Sequence, residues 1–248
     1  IGMIMARRLT LEGAHVQAVF EIQPYPSGLP RNIEQCLNDY DIPLYLSHTV
    51  TEIHGNSRLT GVTVSAVDEH FKPIPGTERE YRCDTLILSV GLIPENELSI
   101  DAGVDLDSRT KGAVVDEYFQ TGVEGIFAAG NVLHVHDLVD FVSMEAEDLA
   151  ESAAEYVRRG RLPECPLAVR TDGNINHTVP QRVSGTRAFK LSMRVNRPMK
   201  DCRVVVRQNG VELASKKMKK AIPAEMIQLA VKADRIAQNG DLEVSVEC

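Results

Sequence analysis

Short apolar runs broken by glycine and proline, with two longer stretches of helical spacing, set the pattern of this chain. Met3, Ile4, Met5, Ala6, Leu9 and Leu11 form one face of a helix, with Arg7, Arg8 and Glu12 off it and Gly13 placed to end it. Residues 14–21 then predict a strand that ends in Glu21. A proline-rich loop over 23–29 leads to a helix over 30–40, with Pro30 in its first turn. Residues 42–46 and 49–53 are strand-like. Residues 58–67 alternate apolar and polar through Leu59, Val62 and Val64, which predicts an antiparallel strand with one wet face, and 70–80 is a hairpin tip.

The apolar run Leu86, Ile87, Leu88 and Val90 predicts a buried parallel-type strand that ends at Gly91 and turns through Leu92-Ile93-Pro94-Glu95-Asn96. Residues 105–118 predict a short hairpin with Lys111-Gly112 at its turn. The stretch 121–131 reads Thr-Gly-Val-Glu-Gly-Ile-Phe-Ala-Ala-Gly-Asn. Ile126 to Ala129 predict a short buried strand; Gly130 frees the backbone to turn, and Asn131 puts a short polar side chain at the strand's carboxyl end. In open α/β sheets ligands bind at that end. A helix over 141–159 follows, with Val142, Ala146, Leu149, Ala153, Ala154 and Val157 as its apolar stripe and Gly160 at its end. Residues 162–180 carry Pro163, Pro166, Gly173 and Pro180 and predict a linker. The tail changes character. Phe189, Leu191, Met193 and Val195 alternate with polar residues, Asn209-Gly210 signals a hairpin turn, and 226–231 and 242–246 are strand-like, so a small β-sandwich is expected.

Composition excludes several classes. The chain has 248 residues, 43% hydrophobic and 25% charged, with a net charge of −8. There is no basic stripe with interleaved aromatics, so no nucleic acid is expected as partner. Lys216, Lys217, Lys219 and Lys220 read as a solvated strand face. No apolar run approaches the roughly 20 residues of a membrane span, and no signal peptide is visible. Cys36, Cys83, Cys165, Cys202 and Cys248 are scattered and never form a C-x-x-C pair. That suits a reducing cytoplasm and argues against a redox dithiol or a structural zinc site. His134-Val135-His136-Asp137 has the look of a metal motif, but the sequence shows no third ligand cluster, so no metal is expected.

Thr121, Ile126, Phe127, Ala128 and Gly130 resemble a signature of the pyridine nucleotide-disulfide oxidoreductase family, the flavoproteins with two dinucleotide-binding domains. The departure is Asn131, where the family has Asp: Asn still hydrogen-bonds a hydroxyl but carries no charge. The strand–Gly91–Pro94–Asn96 stretch, 30 residues ahead of Thr121, resembles the family's crossover between its two domains. Gly2 opening a helix, with Glu21 ending a strand 19 residues later, matches the second half of a Rossmann fingerprint.

The resemblance implies a partial α/β Rossmann-like fold followed by a small all-β domain. It divides the chain into a truncated NAD(P)-binding part (1–93), the later part of an FAD-binding domain (94–165), and a linker with the β domain (166–248). The implied cofactors are FAD and NAD. Gly2 would allow close helix–strand packing, Glu21 would take the ribose hydroxyls, and Gly91 would let the backbone approach the nucleotide. Gly130 and Asn131 would hold the ribityl and pyrophosphate part of FAD, and the helix start at Val142 and Ser143 would meet the flavin pyrimidine ring through backbone N–H groups. The implied activity is hydride transfer between NAD(H) and flavin, with electrons exchanged with a small-molecule substrate or a redox partner protein. No catalytic acid or base is named. The chain alone is expected to be inactive, since half of each nucleotide site would lie upstream. The alternative is a non-catalytic fragment or a flavoprotein subunit of an amine, opine or glycerol-phosphate dehydrogenase complex. Either a homo-oligomer or a hetero-complex is open.

Overall fold

The computed structural model describes residues 1–248, which fall into two compact units, Ile1–Gly91 and Leu92–Cys248. In the first, α1 (Gly2–Leu11) leads to β1 (Val19–Glu21), α2 (Pro30–Cys36), a 3₁₀ turn at Asn38–Tyr40 and β2 (Leu44–Leu46). β1 and β2 pair in parallel, Val19 opposite Leu44. Ala6, Leu37 and Ile42 form the core between them, with Met3, Val16, Val19, Tyr40 and Leu44 packed around it. β3 (His48–His54), β4 (Gly61–Ala66) and β5 (Arg79–Tyr81) make an antiparallel sheet with β4 in the middle. The central strand is buried on both faces from Gly61 to Ser65, where the sequence predicts one wet face.

One predicted strand is absent from every sheet. Residues 84–91 pair with nothing, and Ile87, Leu88 and Val90 are 55%, 70% and 89% exposed. A buried parallel strand exists only when neighbours take its hydrogen bonds on both edges. Here β1 and β2 pair with each other and β3 to β5 among themselves, so the apolar run has the composition of a core strand without a ladder to join.

The second unit opens with α3 (Glu97–Asp101). Isolated bridges then join Leu106 to Ala113, Val115 to Thr121 and Gln120 to Phe127. The predicted hairpin over 105–118 and the predicted strand at 126–129 are thus turns held by single bridges. Their apolar residues still pack: Val104, Ala113, Val115, Ala128, Leu133 and Val179 form one core. A 3₁₀ turn at Gly130–Val132 precedes α4 (Val139–Arg159), which Gly160 ends in the left-handed region at φ 75°. No residue of the predicted apolar stripe of α4 is fully buried: Val142, Leu149 and Ala153 are half-buried and Ala146, Ala154 and Val157 exposed, while Glu145 and Ser152 are its buried residues.

Residues 162–180 are no linker. They contain β6 (Leu167–Thr171) and β7 (Ile175–Val179), and the prolines and Gly173 bound these strands. β8 (Arg182–Val183), β9 (Phe189–Val195), β10 (Met199–Gln208), β11 (Val211–Ala221), β12 (Ile227–Val231) and β13 (Leu242–Glu247) complete the fold. The sheets run β11-β10-β13-β6-β8 and β12-β9-β7. Their facing side chains interleave in a single core that includes Val169, Leu191, Met193, Val204, Val206, Ile227 and Val244. Asn209, at φ 51°, and Gly210 make the hairpin turn between β10 and β11.

Leu191 has no exposed surface, so Leu191→Ala should cost about 2–5 kcal/mol in urea unfolding of the full chain. Leu88→Ser, at an exposed position, should change stability by less than about 0.5 kcal/mol. A large loss at Leu88 would mean that residues 84–91 are packed after all.

Candidate functional site

The 130–136 turn is built around one carboxylate. Glu145, one and a half turns into α4, is 8% exposed and accepts from three donors. The Gly130 N–H lies 2.5 Å from Oε2, His134 Nε2 2.7 Å from Oε1, and His136 Nε2 3.1 Å from Oε2. Burial by itself pushes the Glu145 pKa up. The hydrogen bonds from His134, His136 and the Gly130 N–H outweigh it and hold the group down at about 2. The carboxylate is therefore ionised at any ordinary pH.

Two further contacts hold the turn. Gly130 sits at φ 70°, and a Cβ there would lie 3.3 Å from Val142 Cγ1, so this glycine lets the turn approach α4 in a backbone region that side chains avoid. Buried Asn96 donates through Nδ2 to the carbonyls of Val132 (2.8 Å) and Lys111 (3.0 Å). The first turn of α4 has no side-chain cap: Leu138 is its N-cap, and Leu138 and Val139 are 42% and 75% exposed. Its leading N–H groups are thus open to an acceptor.

The expected residues fall as follows. Gly130, Asn131 and Val142 come together at this turn. Asn131 is exposed, and its Oδ1 accepts the His136 N–H at 3.0 Å, which leaves its Nδ2 as the outward donor. Ser143 is exposed on α4. In the first unit, Gly2 opens α1, and a Cβ there would lie 2.8 Å from Ser89 Cβ, a close approach only glycine permits. Glu21 ends β1, but its oxygens already accept from the Gln23 N–H (3.0 Å), the Ser27 N–H (3.3 Å) and the Ser27 hydroxyl. With about four lone-pair sites per carboxylate, it can take about one more donor; a ribose diol, which brings two, would have to displace Ser27. Gly91, at φ 86°, ends the exposed run in open space.

Sequence reasoning missed Glu145, and it named no third partner for His134 and His136. The structure supplies one: the three groups offer ligand atoms within 4.8 Å of one another, a set that could hold a metal. Their hydrogen bonding favours a clamp instead. His134 Nδ1 and His136 Nδ1 are buried without partners. Metal on both Nε2 atoms would leave two buried Nδ1–H donors unsatisfied, whereas metal-binding histidines normally donate that proton. With Nε2–H given to Glu145, each Nδ1 is a bare lone pair, the cheaper group to leave unpaired. No signal in the sequence separates Glu145 from Asp140, Glu147, Asp148, Glu151 and Glu155 on the same helix.

No helix is long and apolar enough to cross a membrane, and all five cysteines are free. The family whose sequence profile matches, "Pyridine nucleotide-disulphide oxidoreductase", covers residues 1–157. The chain is 25% identical over 136 residues to the ferredoxin reductase component of a chlorobenzene dioxygenase from Cupriavidus sp., covering 51% of this chain and 32% of that protein. It is 31% identical over 99 residues to a thioredoxin reductase from Treponema pallidum, covering 40% and 29%. The chain thus spans about a third of the length of these curated relatives. A Lactococcus lactis thioredoxin reductase structure superposes with a TM-score of 0.52 at 19% identity, over 60% of this chain and 48% of that one, a likeness of fold.

Because the folded pKa of Glu145 lies below its ordinary value of 4.5, its stabilisation is fully present above about 4.5 and is lost as pH falls towards about 2. Glu145→Gln should therefore cost roughly 3 kcal/mol at neutral pH. It should also flatten the acid limb of the stability profile below pH 4.5, measured by urea unfolding at a series of pH values. An unchanged acid limb would show that the ion is not held as described.

Proposed function

The chain belongs to the pyridine nucleotide-disulphide oxidoreductase family, and from that membership we propose that it is part of an FAD-dependent oxidoreductase passing hydride between NAD(H) and flavin. In this reading residues 1–93 serve the nicotinamide nucleotide, residues 94–165 the FAD, and the β-sandwich beyond docks or supports. The observation that carries it is the uncapped start of α4 beside the Gly130–Asn131 turn. When bound, FAD supplies the two-electron acceptor and NADH the hydride. The chain's own residues position and polarise. α4 begins at Val139, so the Val142 and Ser143 N–H groups, expected to donate, are spent within the helix; the open N–H groups of Val139 and Asp140 donate instead to an electron-rich carbonyl edge, and the helix dipole favours negative charge there. The Asn131 Nδ2 donates to a hydroxyl or phosphate oxygen. Asp140, in the same first turn, works against an anion at that end.

Glu21 selects NAD over NADP by repelling a 2′-phosphate, once Ser27 yields its hydrogen bond. These residues carry no C-x-x-C pair, so a disulfide acceptor would need a dithiol from outside them. One relative is named as a ferredoxin reductase component, so a small iron–sulfur carrier is the acceptor class we favour, in a reducing cytoplasm. A second reading, that the chain works as part of a complex such as an amine, opine or glycerol-phosphate dehydrogenase, is favoured by the uncovered apolar residues Ile87, Leu88 and Val90.

The test is a visible absorbance titration of the full chain with FAD, followed by anaerobic NADH. Quenched flavin fluorescence with a bound-flavin spectrum supports the FAD assignment. Bleaching by NADH would show that hydride reaches the flavin in this chain. No uptake of FAD would remove the cofactor assignment from these residues.

A further inference from the structure

A cavity of about 440 Å³ lies in the second unit between the 107–109 turn and β7, with Asp107, Arg109, Asp172, Asn176, His177 and Gln181 among its lining residues. Ser108, Arg109 and Gly173 are exposed, so it reaches the surface. His177, at its inner wall, is 8% exposed, and its Nε2 is buried without a partner. Behind it stands His134, with ring centroids 6.0 Å apart and planes at 84°. Then come Glu145, 2.7 Å from His134 Nε2, and His136, 3.1 Å from the other carboxylate oxygen.

The unpaired atoms of the first two rings are complementary. The Asn176 amide lies 3.3 Å from His177 Nδ1. An amide NH₂ donates there, so Nδ1 accepts and Nε2 carries the proton. His134 gives its Nε2–H to the ionised Glu145, so in the neutral ring Nδ1 is a lone pair. One ring thus holds a donor without an acceptor, and the adjacent ring an acceptor without a donor. Each alone is a cost that buried groups rarely bear; no direct hydrogen bond joins them, and one water between them would satisfy both.

We infer that His177, His134 and Glu145 form a proton relay from the surface cavity to the buried turn at Gly130. A proton taken up at His177 Nδ1 releases the Nε2 proton, through that water, to His134 Nδ1, and His134 passes its own Nε2 proton to Glu145, which is ionised at rest and holds the proton only in transit. One proton enters, one arrives, and no electrons move. Burial, with His134 and Arg194 nearby, lowers the His177 pKa to about 4, so the ring stays neutral and keeps one donor and one acceptor. That the relay serves a flavin at this turn rests on the preceding reading; the relay itself does not, and its test needs no cofactor.

The test is ¹⁵N-histidine NMR of the full chain without flavin. The tautomer pattern comes first: both His134 and His177 should carry their proton on Nε2, and His177 protonated on Nδ1 would overturn the relay. Next is solvent exchange of the His134 Nε2–H, with the Gly130 amide, bound to the same carboxylate, as internal reference. In His177→Phe the His134 proton should exchange at least about tenfold more slowly while the Gly130 amide is unchanged. An unchanged His134 rate, or the two rates moving in parallel, would mean that protons reach the site by local opening, and the relay would fall.

Discussion

Three N–H groups on one buried carboxylate hold the candidate site together. A bare ion at the Glu145 position would cost several kcal/mol in desolvation. The Gly130 amide and the His134 and His136 rings compensate it. Two of these donors, His134 and His136, lie just past the 121–131 stretch that the sequence marks out, and the third is the Gly130 N–H within it. The same ion therefore fixes where the turn sits against α4, and with it how Asn131 and the first turn of the helix are presented. Asn96 ties the opposite side of the turn through the Val132 carbonyl. Gly112 completes the packing: a Cβ there would lie 1.7 Å from the Leu133 carbonyl oxygen.

The arrangement leaves the surface of the site open in a specific way. Acceptors are consumed inside, at Glu145. Donors remain outside, at the Asn131 amide and the uncapped helix start. A site whose carboxylate is already satisfied and whose outward groups include spare donors suits an oxygen-rich ligand, as the proposed FAD reading requires. The nicotinamide side is the reverse. Glu21 is an acceptor largely used by its own loop, so a nucleotide bound there, as proposed, would have to release that loop.

Much of this was legible in the sequence where local pattern decides the outcome. The strict alternation of 189–195 and the Asn209-Gly210 turn predicted one strand and a hairpin, and Gly160 marked the end of α4. The 121–131 stretch located the turn. What failed depended on partners far along the chain. Residues 84–91 have the composition of a buried strand, but a strand is defined by its neighbours, and none pairs with it. Pro163, Pro166, Gly173 and Pro180 read as a linker, although they only punctuate β6 and β7, whose partners lie as far away as Val244. Glu145 was hidden among five other acids on one helix; its burial follows from where the turn folds back, which no helical period encodes.

The measurement that tests the central claim most directly is the pH titration of the Gly130 amide resonance in the full chain. If the carboxylate is held as an ion by its three donors, this amide stays far downfield as pH falls through 4.5, the ordinary glutamate value, and moves only towards about 2. A midpoint near 4.5 would contradict the account: Glu145 would then be an ordinary acid, and the turn would owe its position to something else.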